Sequence, residues 1–141
     1  MKLSRTVAYA IQATLQLAQE SSDEPVPCSH LAATGHMPER FLLQILRHLV
    51  THGILHSTRG VEGGYTLERK PEDISLLDVI EAIEGPLTSM LPPVDGAANG
   101  VFQDRLREAL DDITADARRR LADIKLSDLM PSSVDLAAKA S

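Results

Sequence analysis

Apolar positions recur at helical spacing through most of this chain and change to a strand-like period only once. Near the start, Val7, Ile11, Leu15 and Ala18 repeat at three and four, and Ala8 and Ala10 widen the stripe. Ser4 stands where an N-cap belongs, so a helix is predicted to about Glu20, ended by Ser21-Ser22-Asp23-Glu24-Pro25. Two short helical segments follow. Leu31, Ala32 and Ala33 mark the first, with Ser29 as the expected cap and Gly35 as the expected left-handed residue beyond its end. In the second, Pro38 is expected at the first helical position and Glu39 in the first turn. Its stripe is Phe41, Leu42, Ile45, Leu46 and Leu49, and Gly53 ends it. Two short helices joined at a glycine make a helix-turn-helix pattern, whose second helix has the size to enter a major groove.

The period then changes. Ile54-Leu55-His56-Ser57-Thr58 and Tyr65-Thr66-Leu67 read as strands joined by Arg59-Gly60-Val61-Glu62-Gly63-Gly64, a hairpin with a glycine-rich tip and one arginine. Ser75-Leu76-Leu77-Asp78 resembles a capping box, opening a helix through Val79, Ile80, Ala82 and Ile83 that Gly85-Pro86 stops. Residues 86–100 have loop composition. From Val101 to about Ile124 runs the longest predicted helix, with Phe102, Leu106, Ala109/Leu110, Ile113, Ala117 and Leu121 on one stripe. Ser127 is the expected cap of a final turn, and residues 131–141 read as a flexible tail.

Composition narrows the class. Of 141 residues, 43% are apolar but only 3% aromatic, with no Trp, so the core is aliphatic, which suits a small helical domain. The single cysteine, Cys28, cannot by itself form an internal disulfide, a zinc ribbon or a cluster site. The chain opens into an amphipathic helix without a signal-peptide stretch, and no run approaches the roughly 18 apolar residues of a membrane span. A cytoplasmic protein without a membrane partner is expected.

Net charge is −6, which at first argues against nucleic acid. Its distribution argues otherwise. Between Cys28 and Val61 the only acid is Glu39 among the helix-turn-helix residues proper, set against Arg40, Arg47 and Arg59, and all five histidines lie there. Phosphates sense charge within a Debye length of roughly 8–10 Å, so a locally cationic face on an acidic body suffices. On the helix over 38–52 the polar set Arg40, Gln44, Arg47, His48 and Thr51 faces away from the apolar stripe. Arginine pairs bidentately with guanine and glutamine with adenine; a merely solvated face is the other reading of the same spacing. A slim loop carrying Arg59 suits a narrow minor groove, where the negative potential is enhanced, although an ordinary hairpin with a surface arginine has the same sequence. Ser57 and Gly60, in the same hairpin as Arg59, join Arg40, Gln44, Arg47, His48 and Arg59 as candidate DNA-contact residues.

His48, His52 and His56 invite a metal hypothesis, but no cysteine or carboxylate stands at a matching interval, and no metal site or cofactor is assigned. Their protonation would add charge beside phosphate and make affinity pH-sensitive. Cys28, at the start of a short helix, is a candidate redox thiol or a simply buried one. No catalytic triad, P-loop, dinucleotide fingerprint or paired-carboxylate arrangement is present, so an enzyme is not expected. The long apolar stripe after residue 100 needs a partner surface. A second copy supplies one, while folding back on its own chain is the alternative.

Four stretches together resemble the winged-helix regulator family that includes the iron–sulfur cluster regulator IscR, the nitric-oxide sensor NsrR and the cysteine-metabolism regulator CymR. They are Met-Lys-Leu-Ser with Tyr9-Ala10; Phe41-Leu42-x-Gln44-Ile45-Leu46; Gly53-Ile54-Leu55-x-Ser57-x-Arg59-Gly60-x-x-Gly63-Gly64-Tyr65-x-Leu67; and Ile74-Ser75-Leu76-x-Asp78-Val79-Ile80-x-Ala82-Ile83-Glu84-Gly85. The resemblance covers roughly residues 1–130, and the Arg-Gly-x-x-Gly-Gly-Tyr run is its most diagnostic part. It implies a mainly helical fold with a small β-hairpin wing. A winged helix-turn-helix DNA-binding domain would occupy 1–85, a loop 86–100, and a dimerisation helix with a short terminal helix 101–130. It also implies a homodimer on a palindromic operator in double-stranded DNA, with Arg40, Phe41 and Gln44 at DNA-contacting positions and Arg59 in the minor groove. Leu43 departs from the polar residue some members use for discrimination, so operator preference does not transfer.

Cluster-binding members carry three closely spaced cysteines in the loop before the long helix. Here residues 85–100 contain neither cysteine nor histidine, so the expectation is a cluster-free branch with no cofactor. The expected function is a sequence-specific transcription regulator, with repression the expected direction. Its signal is left open among a small molecule, a protein partner, Cys28 oxidation or none. A protein-interaction module with weak DNA binding and a histidine-based metal sensor are the competing readings.

Overall fold

The structure, a computed structural model, describes residues 1–20, 23–91 and 100–131; the expected tail beyond Pro131 and most of the second half of the 86–100 loop lie outside the described residues. The chain forms α1 (Arg5–Gln19), α2 (Cys28–Gly35), α3 (Glu39–Thr51), β1 (Leu55–Thr58), β2 (Gly64–Leu67), a 3-10 turn (Pro71–Asp73), α4 (Leu76–Glu84), α5 (Gly100–Asp123) and α6 (Leu126–Leu129). The mainly helical fold with a two-stranded hairpin and a long C-terminal helix is the one expected.

Ser4 caps α1 as its position predicts, its Oγ accepting from the Val7 N–H at 3.2 Å. The buried face of α1 is rotated from the predicted stripe: Val7, Ala10, Ala13, Thr14 and Leu17 are buried, whereas Ile11 and Leu15 are half-buried and Ala8 is exposed. Small side chains let the neighbouring helices approach closely, and the Thr14 hydroxyl is satisfied by donating to the Ala10 carbonyl. A pattern scored on bulk favours the larger residues at the flanks.

The turn between α2 and α3 differs from expectation in three ways. The N-cap of α2 is Pro27, which offers no side-chain bond, and Ser29 lies inside the helix and exposed. Pro38 is the N-cap of α3 rather than its first helical residue. Most informative, the left-handed position falls on His36 (φ 54°, ψ 45°), while Gly35 is the last helical residue. Gly35 is instead closely approached: a Cβ there would come within 2.6 Å of Gln16 Nε2 and of Met37 Cε, the ends of side chains that can move aside. Gln12 Nε2 donates to its carbonyl at 3.0 Å, tying α1 to the turn. The left-handed angle therefore sits on a residue with a side chain, where it costs more than on glycine.

α3 buries Leu42, Ile45, Leu46 and Leu49 against α1, α2 and α4. The Ile54 N–H bonds to the Leu49 carbonyl at 2.9 Å, so Ile54 closes the helix end and the strand begins one residue later than its composition suggests. β1 and β2 pair antiparallel, Leu55 opposite Leu67 and Thr58 opposite Gly64. The other edge of β2 is taken by Val26, which exchanges backbone bonds with Tyr65 at 3.0 and 2.9 Å. α4 carries the predicted capping box, with the Asp78 N–H on Ser75 Oγ and the Ser75 N–H on Asp78 Oδ2, both 3.0 Å.

After α5 the chain returns to this body. Leu76 N–H donates to the Ile124 carbonyl at 2.8 Å and Leu126 N–H to the Ile74 carbonyl at 2.9 Å, and Leu126 is fully buried. α6 is capped by Asp128, whose carboxylate accepts from the Lys125 N–H at 2.9 Å, and not by Ser127, which lies exposed inside it. The core has two parts: a large aliphatic cluster beneath α1, α2, α3 and the hairpin, and a smaller one of Val7, Leu77, Ile80 and Leu121 where α5 meets α1 and α4.

Candidate nucleic-acid interface

The interface begins with what α3 does not bury. Four leucine and isoleucine side chains point into the core at no more than 1% exposure, which turns Arg40, Gln44, Arg47, His48 and Thr51 to the outside. Phe41, predicted as part of the apolar stripe, is instead 40% exposed at its margin, held edge-on to the Tyr9 ring with centroids 5.8 Å apart. It stands beside the polar row as an apolar group able to meet a thymine methyl.

The wing follows directly. At its tip Thr58, Arg59, Gly60, Val61 and Glu62 are exposed, and Gly60 holds φ +113°, with the Gly63 N–H closing the turn onto the Gly60 carbonyl at 3.0 Å. The glycine pair after the tip is explained by crowding. A Cβ at Gly63 would lie 2.2 Å from the Thr58 carbonyl oxygen, and one at Gly64 would lie 2.4 Å from the Val26 carbonyl carbon. Bare backbone at Gly64 therefore lets β2 lie against Val26, two residues before α2, so one backbone contact fixes the wing to the start of the helix-turn-helix. A single bridging residue has no period, and sequence reasoning missed it; the doubled glycine was its trace.

All eight predicted contact residues, Arg40, Phe41, Gln44, Arg47, His48, Ser57, Arg59 and Gly60, are solvent-exposed. Among the described residues no ion pair engages Arg40, Arg47 or Arg59, whereas Arg69, Arg107, Arg118 and Arg119 each pair with an acid. A guanidinium without a carboxylate partner keeps its full charge and donor set for another anion.

The histidines do not converge. His52 Nδ1 lies 2.9 Å from the His48 carbonyl, His56 Nδ1 lies 3.3 Å from Glu68 Oε2, and His30 Nε2 is 4.0 Å from Glu20 Oε1. Among the described residues no group of three or more His, Cys, Asp or Glu side chains is placed to hold a metal ion. Cys28 is half-buried, its Sγ donating to the Glu39 carbonyl at 3.7 Å. Burial, reinforced by the negative charge of Glu39, pushes its thiol above the ordinary value. That keeps it protonated at neutral pH, the poorly nucleophilic form. Burial likewise raises the Tyr65 phenol, with the neighbouring Cys28 adding to the shift and Arg47 opposing it.

An exposed, unneutralised helix face followed by a slim arginine-bearing hairpin defines a winged helix-turn-helix DNA-binding regulator. The chain belongs to the Rrf2 family: the pattern of that family, described as an iron-dependent transcriptional regulator, matches residues 3–132. Among relatives, it is 42% identical over 90 residues to an HTH-type transcriptional regulator of Mycobacterium tuberculosis, of whose length the match spans 56%. It is 29% identical over 119 residues to the HTH-type transcriptional regulator CymR of Bacillus subtilis, covering 81% of this chain and 86% of that one. The solved structure of CymR, the global cysteine regulator of B. subtilis, superposes with a TM-score of 0.73 at 27% identity over 92% of this chain and 95% of that one. An IscR from T. potens gives 0.67 at 27% identity, covering 100% of this chain and 89% of that one. The family and these relatives are transcriptional regulators, not enzymes. Among the described residues no helix is long and apolar enough to cross a membrane.

The family description names iron, and the donor set here does not fit an iron–sulfur cluster. Residues 86–100 offer no thiolate and no imidazole, the ligands cluster irons take, and in the described part of that segment the Ser89 hydroxyl is already bonded to the Asp111 carboxylate of α5.

Proposed function

We propose that the chain is a cluster-free, dimeric, sequence-specific regulator that represses by occupying promoter DNA. In this reading residues 1–85 are the reading head, 86–100 the connection to the rest, and 101–130 the dimerising part. In this reading Arg40, Gln44 and Arg47 address base edges and phosphates of the major groove, Phe41 and His48 flank them, and Arg59 enters the minor groove beside Ser57 and Gly60. The observation that carries it is the set of three arginines on α3 and the wing that have no acid partner among the described residues, in a chain whose net charge is −6. An acidic protein that leaves these cations unneutralised on one face is suited to a polyanion.

Dimerisation is supported by α5. Its 24 residues span about 36 Å, and Val101, Phe102, Leu106 and Ile113 are exposed along it, Phe102 at 69% and Ile113 at 64%. The stripe expected from the sequence is covered unevenly along its length: Leu121 is buried and Leu110 and Ala117 are half-buried, while Val101, Phe102, Leu106, Ala109 and Ile113 stay exposed. A second copy laid along the outward residues covers them by twofold symmetry, and the same symmetry presents two heads to an inverted repeat.

The reading is tested by binding full-length protein to promoter duplexes while salt is raised from about 50 to 200 mM. A steep, roughly log-linear loss of affinity is expected, as is a loss of about tenfold in Arg59→Ala, the worth of one charge-assisted contact. Salt-insensitive binding, or an unchanged Arg59→Ala, would favour a protein-interaction module that keeps the fold without reading DNA.

A further inference from the structure

α5 is the element on which the dimer reading depends; beside the backbone bonds that follow its C-terminal end, its polar side chains reach the reading head through Arg118. Arg118 Nη1 donates to Glu81 Oε2 at 2.5 Å and Nη2 donates to Glu81 Oε1 at 3.4 Å. The same Nη1 donates to the Leu87 carbonyl at 3.2 Å, and the Leu87 N–H donates to Glu81 Oε2 at 2.7 Å. One guanidinium therefore joins three pieces of chain: the last turn of α4, the residue following the Gly85-Pro86 stop, and the C-terminal half of α5. Two turns earlier on α5, Asp111 accepts from Ser89, fastening the next residues of the same segment.

Folding has another source at this junction. The apolar cluster of Val7, Leu77, Ile80 and Leu121 lies beneath the clamp, and Leu87 packs on it. An ion pair whose arginine remains 39% exposed adds little to stability beside such burial. What a planar fork on a carboxylate does supply is direction, because its two parallel bonds break when one element rotates against the other. Aliphatic contacts tolerate small rotations; the fork does not.

We propose that Arg118 and Glu81 are positioning residues for DNA recognition, fixing the angle of α5 against the reading head and thereby the spacing between the two heads of a dimer. The inference rests on the dimer reading above. Each degree of freedom at this joint would be doubled by the twofold axis and expressed at the recognition helices, whose separation has to match about one helical turn of DNA, 34–36 Å, or a multiple of it. Bivalent binding gains only while both sites can be engaged together.

The test uses full-length Arg118→Lys, which keeps the charge and loses the fork, and Glu81→Gln, which keeps the size and loses the charge. The probes are the inverted-repeat duplex that the wild-type protein selects from random sequence, the same duplex with its spacer lengthened or shortened by one or two base pairs, and a single half-site. Both variants should lose about tenfold on the preferred full site, flatten the dependence on spacer length, and leave half-site affinity and sedimentation as a dimer unchanged. An unaltered spacer profile, or a half-site loss as large as the full-site loss, would overturn the positioning role. A wild-type protein that binds full and half-sites equally would refute the dimer reading itself, a result distinguishable because it needs no variant.

Discussion

The reading head and the α5 rod use the same residue types to opposite ends. In the head, Leu42, Ile45, Leu46 and Leu49 of α3 are buried to within 1%, and among the described residues the arginines of α3 and the wing have no carboxylate partner. Along α5 three of the five arginines are paired, Arg107 with Asp104 and Arg119 with Asp116 within the helix and Arg118 with Glu81 across to α4, while Phe102 and Ile113 remain exposed. One surface offers uncompensated charge and the other uncompensated apolar area. The first suits a polyanion and the second another protein surface, so the two ends of one acidic chain are prepared for different partners.

The comparison can be broken most strongly at the wing's base. Gly64→Ala sets a Cβ 2.4 Å from the Val26 carbonyl carbon, where only backbone can yield. The variant should lose about 3 kcal/mol of stability by thermal unfolding, with DNA binding lost as β2 leaves Val26. Next comes the rod: Phe102→Ser should weaken self-association by about 2 kcal/mol per exposed aromatic removed, measured by sedimentation equilibrium. The melting transition of the reading head should move little. A sharper comparison sets Arg59→Ala, expected to cost about tenfold in DNA affinity, against Arg107→Ala, whose partner is Asp104 and whose loss should leave affinity within about twofold.

Smaller effects probe the joints between the regions. His36→Gly should stabilise the chain by about 0.5–1 kcal/mol, because it relieves a left-handed angle on a residue with a side chain. The denaturation midpoint at unchanged slope reads it. The Glu81 clamp carries the least energy but a definite pH sign. Burial alone pushes this carboxyl up, and Asp78 on the same helix adds to that push. The hydrogen bonds from Arg118 and the Leu87 N–H, with the Arg118 charge, outweigh both and hold it below the ordinary value. Its contribution to stability is therefore present above the unfolded glutamate value of about 4.3 and is lost as pH falls through the lower folded value. Urea midpoints of wild type and Glu81→Gln should differ at neutral pH and converge in acid.

What could be read from the sequence was local. The capping box of Ser75 and Asp78, the Ser4 cap, and the hairpin between Leu55 and Leu67 each announce themselves within a few residues. The exposed row of α3 follows by subtraction from its leucines and isoleucines. What could not be read depends on contacts between distant segments. Gly35 lies against the side-chain ends of Gln12 and Gln16 from α1, and the left-handed angle falls on His36. Ala13 and Thr14 are buried outright, while the bulkier Ile11 and Leu15 pack only half-buried at the edge of the core, because α1 is closely approached. Val26 completes the wing across nearly forty residues, and Glu81 meets Arg118 across a similar gap, with no periodic signal for either. Nor does the α5 stripe say how far along its length the rest of the chain covers it: Leu121 is buried while Phe102 and Ile113 are exposed.

Selection of duplexes from a random-sequence pool by the full-length protein, followed by sequencing, tests the central claim most directly. Enrichment of an inverted repeat is predicted, with enrichment abolished when Arg40, Arg47 and Arg59 are together replaced by alanine. Recovery of no common sequence, of a single asymmetric site, or of the same repeat by the triple variant would contradict it.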